Sequence, residues 1–266
     1  MSQFVSLAGA LQQTGNTPLR LLRSRSMSTP DSDSIATRLQ QVRVRIAAAE
    51  AQAGRAPGSV RLLAVSKTFP AAAVAAAAAA GQLAFGENYV QEAVAKMGEL
   101  AGQPLEWHCI GPLQSRKSGQ VAAHFDWLHS LDRLDIAQRL SRQRDADKAP
   151  LQLCLQVNMD GGANKSGLLP EQVLELALAV RELPGLELRG LMSIPEPYAD
   201  AAQTLAVHLR TRELFEQLGA QLALPRWDTL SMGMSADLEQ AVAAGSTLVR
   251  IGTAIFGGRA YPAAAG

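Results

Sequence analysis

Apolar residues in this chain follow two alternating patterns. Short, almost unbroken hydrophobic runs such as "LLAVS" (62–66), "LQLCLQV" (151–157) and "LRGLM" (188–192) have the length of strands. Between them lie longer stretches whose apolar positions recur every three or four residues, as on one face of a helix. The pattern predicts strands at 61–66, 83–85, 106–110, 127–131, 151–157, 188–193, 229–232 and 247–251. Helices are predicted over 71–80, 90–100, 116–123, 133–144, 171–181, 201–218 and 236–244. An additional amphipathic helix over 35–53, closed by Gly54, precedes the first strand.

Strands in strict alternation with helices, several of them hydrophobic throughout, describe a parallel sheet covered on its faces. TIM barrels need roughly 250 residues, so a chain of 266 residues fits a single α/β fold of the (β/α)8 TIM barrel type. A doubly wound sheet is the alternative, but no strand here is followed by G-x-G-x-x-G. Residues 31–262 are assigned to the barrel and residues 1–30 are expected to lie outside it. That leading stretch carries Arg20, Arg23, Arg25 and several serines, with no acid before Asp31. Its composition suits a transit peptide, a disordered extension, or a start site set too early, since Met27 opens a plausible "MSTPDSDSIATRL".

Composition narrows the partners. A net charge of +1 and an aromatic content of 5% leave neither the basic face nor the stacking platform that nucleic acid requires. The alanine-rich run at 71–80 is too short for the ~20 residues of a membrane span. Cys109 and Cys154 each sit within an apolar stretch and read as buried thiols of a reducing, cytoplasmic compartment rather than a disulfide.

In a barrel, chemistry belongs at the strand C-termini and the loops that follow them. Lys67, Glu87, Asn88, Gly111, Asn158, Ser193, "SMGMS" (231–235) and "RIGTAIFG" (250–257) all fall there. Lys67 has two readings: an ion pair with an acid, or an amine for carbonyl capture. An ammonium held low in an apolar mouth loses hydration and its pKa falls, and a neutral amine attacks an aldehyde to give a Schiff base. The seventh and eighth loops are where TIM barrels often hold phosphate. Ser235 is placed to cap a helix beginning at Ala236, and Gly252 and Thr253 offer backbone N–H donors; two ordinary glycine-bearing turns are the alternative. "GPLQSRKS" (111–118) only imitates a phosphate-binding P-loop, because Arg116 replaces its second glycine. The four histidines, His108, His124, His129 and His208, lack metal-ligand spacing, and His108, within a strand, reads as structural; Lys165 in "NKSG" is a second rim amine or, the better reading, a solvated loop residue.

An amine for an aldehyde, a phosphate cradle and a barrel together suggest pyridoxal 5′-phosphate (PLP). The motifs "AVSKT", "FGENYVQEA", "WHCIGPLQSRK", "NKSG", "RGLMSIPEP" and "LSMGMSADLEQAVAAGSTLVRIGTAIFG" resemble the pyridoxal phosphate homeostasis protein family, of the YggS/PROSC type, from about residue 35 to Gly258. The resemblance implies a single alanine-racemase-like barrel of fold type III, with PLP on Lys67 as a Schiff base. It implies phosphate held by Ser235 and the backbone of Gly252 and Thr253, Arg250 facing the pyridine nitrogen, Asn88 close to the ring, and Ser231 among the cofactor-binding residues. The chain departs from the pattern at Phe69, where a lysine is common, and in its "YPAAAG" ending, which lacks a basic tail.

Three functions fit these residues. A carrier would buffer PLP or deliver it to apo PLP-dependent enzymes, without turnover, and is expected to be monomeric. A PLP-dependent amino-acid racemase needs a second base opposite Lys67, and Tyr89, Tyr198 and Tyr261 are the only tyrosines available. A Schiff-base aldolase acting on a sugar phosphate would need an acid–base partner near Lys67, for which Glu87 is the one candidate.

Overall fold

The computed structural model describes residues 34–162 and 165–258, so the leading stretch and Tyr261 lie outside it. Among the described residues, strands β1 (Arg61–Val65), β2 (Ala84–Glu87), β3 (Glu106–Cys109), β4 (Trp127–Leu131), β5 (Leu151–Val157), β6 (Leu186–Ser193), β7 (Thr229–Ser231) and β8 (Leu248–Ile251) run parallel. They pair in chain order, and β1 pairs with β8 from Arg61↔Leu248 to Ala64↔Ile251, which closes the barrel. The helices are α1 (Ile35–Gln52), α2 (Ala71–Ala79), α3 (Val90–Glu99), α4 (Ser118–His124), α5 (Leu134–Gln143), α6 (Val173–Val180), α7 (Ala201–Leu222), α8 (Leu238–Ala243) and the short α9 (Thr253–Phe256). The eight alternating units are therefore the TIM barrel expected from the apolar pattern. No helix among the described residues is long and apolar enough to cross a membrane.

Local chemistry sets the helix ends. Ser34 caps α1 by accepting the Thr37 N–H at 3.1 Å, and Leu39, Val42, Ile46 and Ala49 form its buried face. Pro70 precedes α2 in extended conformation, and the alanines that follow bury Ala71, Val74 and Ala77. Several expected boundaries move. The helix over 116–123 becomes a 3₁₀ turn, Ser115–Lys117, followed by α4. α8 begins at Leu238 rather than at 236, with Asp237 instead of Ser235 at the N-cap position; the Asp237 side chain makes no bond to α8 and accepts the Met234 N–H at 2.7 Å.

The strand pleat sorts side chains onto two faces. Ala64, Phe85, Trp107, Leu128, Leu153, Leu191, Leu230 and Val249 point outward and form, with the helices, the main hydrophobic core. The barrel interior holds two small apolar groups, Leu63–Ala84–Leu248 and Trp127–Cys154–Met192. It also holds polar residues that bond across it: His129 on β4 reaches Ser231 on β7, which is not its neighbour in the sheet. Both cysteines are buried and free, and burial pushes each thiol up to about 12. Gly233, just beyond β7, has φ +93, and a Cβ there would come within 2.4 Å of the Ala241 Cβ.

At the N-terminal end, the connection from α1 to β1 is organised by one buried carboxylate. Glu50 is 3% exposed and accepts the Gly58 N–H at 3.0 Å, the Val60 N–H at 2.7 Å and the Ser59 hydroxyl at 3.3 Å. Replacing Glu50 by Ala orphans these donors. The expected loss is about 2–4 kcal/mol of stability, read as a lower urea midpoint at unchanged m-value; a midpoint within error of wild type would contradict this account.

Candidate functional site

The β1 strand ends in a tight turn that turns Lys67 inward. Ser66 accepts the Phe69 N–H at 3.1 Å, and Thr68 between them has φ +69, a conformation that β-branched residues avoid. The turn is clamped from outside the barrel. Glu92 on α3 accepts the Thr68 N–H at 2.6 Å, and the buried Lys96 ammonium donates to Glu92 (2.7 Å), Glu87 (2.8 Å) and the Ser66 carbonyl (2.8 Å). Ser66 Oγ donates to Glu87 at 2.6 Å. Phe69 packs on Phe256 with ring centroids 5.1 Å apart, tying the turn to α9.

Glu87 is thus the last residue of β2 and faces the helix layer, not the mouth. It is fully buried, with one carboxylate oxygen unpartnered, and burial raises its pKa against the pull of Lys96 and Ser66. This corrects the expectation that Glu87 stands beside Lys67 at the rim: the two-residue period of the strand sends Asn88 inward and Glu87 outward.

At the C-terminal mouth lies a cavity of about 550 Å³. Lys67, Asn88, Ser235, Arg250, Gly252 and Thr253 all line it, so six of the seven predicted binding residues meet there. The side-chain amide of Asn88 and the hydroxyls of Ser235 and Thr253 have no hydrogen-bond partner among the described residues. The first N–H groups of α9 lack intrahelical acceptors, as at any helix start. The seventh-strand loop is held by α1, whose Arg45 donates to the Ser235 carbonyl at 2.8 Å and pairs with Glu239 at 2.6 Å.

Ser231, the seventh, lies one layer deeper. It is fully buried, and its hydroxyl accepts from Arg250 Nη1 at 2.8 Å instead of facing the cavity. Arg250 also donates to the Ser231 carbonyl at 2.6 Å and the Ser193 carbonyl at 2.9 Å. Its Nε–H is uncommitted among the described residues. Burial lowers the Arg250 pKa to about 10, which still leaves a guanidinium at neutral pH.

Other lining residues, Gln156, Ser166 and Ile194 among them, were not among the predicted binding residues. Lys165 lines the cavity too and is not the solvated loop lysine expected. It pairs with Asp160 at 2.8 Å and Glu196 at 3.1 Å, and Asp160 also accepts the Tyr198 hydroxyl at 2.7 Å and the Glu196 N–H at 2.8 Å. These bonds bracket the fifth and sixth loops together over the mouth. Gly111 has a packing role: a Cβ there would sit 2.4 Å from the Asn88 carbonyl, so glycine lets the end of β3 approach the backbone of Asn88. No group of three His, Cys, Asp or Glu residues among the described residues is arranged to hold a metal.

Comparison with known proteins places this geometry. Residues 37–260 match the family model "Alanine racemase, N-terminal domain". A curated pyridoxal phosphate homeostasis protein of Pseudomonas aeruginosa is 57% identical over 232 residues, covering 87% of this chain and 99% of that one. Its namesake in Escherichia coli is 53% identical, covering 86% and 98%. Among solved structures, PipY of Synechococcus elongatus with PLP bound is 40% identical, with a TM-score of 0.74, covering 84% of this chain and all of that one. Matched on more than half their positions along almost their whole length, these relatives show that the chain belongs to the pyridoxal phosphate homeostasis protein family.

Proposed function

We propose that the cavity around Lys67 binds PLP, with Lys67 as the covalent Schiff-base anchor, and that the chain serves PLP homeostasis by holding and handing on the cofactor. The observation that carries this reading is the convergence of an inward lysine, a buried guanidinium and uncommitted hydroxyl, amide and backbone donors on one cavity. PLP supplies an aldehyde that a primary amine captures reversibly. Its phosphate fits the hydroxyls of Ser235 and Thr253 with the N–H groups of Gly252 and Thr253. Arg250 suits the pyridine nitrogen through its free Nε–H, and a permanent cation there disfavours a protonated ring, weakening the electron sink that PLP enzymes use. Asn88 flanks the ring. Ser231 supports Arg250 instead of touching the cofactor. The relatives' names and the PLP-bound PipY support the same cofactor.

A carrier is preferred over a racemase because no tyrosine among the described residues lines the Lys67 cavity. Tyr198 is committed to Asp160, and Tyr89 is 56% exposed on the outer rim. An aldolase loses its nominated carboxylate, since Glu87 is sealed beneath α3 with Lys96. The reading extends to a monomer of the cytoplasm that passes PLP to apo PLP-dependent enzymes; the two free buried thiols suit a reducing compartment.

The purified protein with PLP should show a visible absorption band that borohydride traps on a Lys67 peptide, and Lys67→Ala should lack it. A wild-type protein that gains no band with added PLP overturns the reading. Amino-acid racemisation assayed on the same sample should stay at the level of free PLP, and turnover well above it would restore the racemase. Lys96→Ala leaves Glu87 buried without its cation and should cost about 3–5 kcal/mol in urea unfolding at pH 7, with weaker PLP binding as the Lys67 turn loosens.

A further inference from the structure

Beneath Arg250 the barrel interior carries a line of polar side chains drawn from three strands, β7, β4 and β3. Ser231 Oγ lies 2.8 Å from Arg250 Nη1 and 2.9 Å from His129 Nδ1. His129 Nε2 lies 2.9 Å from His108 Nδ1, and His108 Nε2 lies 2.6 Å from Glu106 Oε1. Arg250, Ser231 and both imidazoles are buried. The Glu106 end emerges at the opposite face, where it pairs with Arg61 at 2.9 Å.

Every hydrogen bond in this line can point only one way. A guanidinium donates and never accepts, so Ser231 Oγ is the acceptor of Arg250. The Ser231 hydroxyl proton then has one acceptor among the described residues, His129 Nδ1. At the far end Glu106 is ionised, its pKa lowered despite partial burial by the bond from His108 and the ion pair with Arg61. A carboxylate only accepts, so His108 Nε2 carries a proton. In the neutral ring that burial favours, His108 Nδ1 is then a lone pair that takes the proton of His129 Nε2. The two ends demand the same direction independently of each other.

We infer that Glu106, His108, His129 and Ser231 form a one-directional hydrogen-bond line that positions Arg250 from below, with both imidazoles neutral and protonated on Nε2. A proton added to either ring would reverse the bonds above it and leave the Ser231 hydroxyl hydrogen facing Arg250 without an acceptor. Burial and the neighbouring cations act in the same sense: His108 and His129 are both pushed down, with Arg61 and Arg250 opposing charge and Glu106 and Asp126 favouring it. The rings are held in place by stacking. His108 lies parallel to Trp127 at 5.3 Å, and Arg189 covers the Trp127 ring at 5.0 Å. The line deepens the PLP reading, because the guanidinium it orients is the group assigned to the pyridine nitrogen. Its residues are positioning residues, none of them touching the cofactor.

The test begins with the protein free of cofactor, labelled with ¹⁵N-histidine. Multiple-bond proton–nitrogen spectra, assigned with His108→Gln and His129→Gln, should show both rings neutral with bare Nδ1 and protonated Nε2 between about pH 6 and 8. An imidazolium, or a proton on Nδ1 of either ring, overturns the line whatever the cofactor does. The second readout is the Arg250 Nε–H cross-peak. It should shift and broaden in Ser231→Ala and return towards its wild-type position in Ser231→Thr, which keeps the hydroxyl. An unmoved cross-peak in Ser231→Ala removes the positioning role. With PLP added, Ser231→Ala should bind about tenfold more weakly than wild type, and equal affinity would also count against positioning. A wild-type protein that binds no PLP defeats the function proposed above, while the histidine tautomers and the Arg250 signal still decide the line.

Discussion

The two-residue pleat of a closed parallel sheet governs this molecule. Along β1 and β2 it sends Leu63, Val65 and Lys67 into the barrel and Ala64 and Ser66 into the wall, and it separates Asn88 from Glu87 in the same way. One lysine then lines the cavity at the mouth while another, Lys96, becomes the buried counter-ion behind it. The costs of two buried charges are met differently. Lys96 is surrounded by three acceptors, whereas Arg250 leans on two backbone carbonyls and a serine, leaving part of its donor set turned towards the mouth. Satisfied charge makes the wall rigid, and unsatisfied charge makes the mouth receptive.

Much of this was legible along the chain because barrels advertise themselves. The strand-length apolar runs located all eight strands, and β4 and β5 match the expected bounds residue for residue. Lys67, Asn88, Ser235, Arg250, Gly252 and Thr253 were legible because each stands at a strand end, where the fold confines chemistry. What stayed hidden depends on which face of a strand a residue takes. Glu87 and Ser231 also stand at strand ends, but one faces α3 and the other supports Arg250, and a strand of three or four residues does not settle its own phase. Lys96 was invisible for a related reason: a lysine four residues after Glu92 reads as a solvent-facing helical pair until a strand carboxylate is found beneath it. His108 reads as structural from its place in a strand, but only the cross-barrel distances tie it and His129 to Arg250.

The strain at Thr68 belongs to the same picture. A β-branched residue at positive φ costs of order 1–3 kcal/mol, and such residues persist only where their surroundings over-determine them. Here the Glu92 carboxylate on the Thr68 N–H and the Phe69–Phe256 contact supply that constraint, fixing the direction in which Lys67 leaves the chain.

Closure of β1 against β8 carries a consequence for how the molecule is made. Lys67 follows β1, Arg250 lies in β8 and Gly252 and Thr253 come just after it, while Arg45 on α1 clasps the Ser235 carbonyl 190 positions along the chain. On the ribosome, the amine therefore emerges long before the cradle that gives it purpose. A half-made chain can display the lysine but not the cavity, and the ring-closing contacts join distant parts of the sequence, so they carry a large loop-closure cost. Any ligand that bridges β1 and β8 stabilises the closed circle alone, which makes occupancy of the mouth a sign that both strands are made and paired.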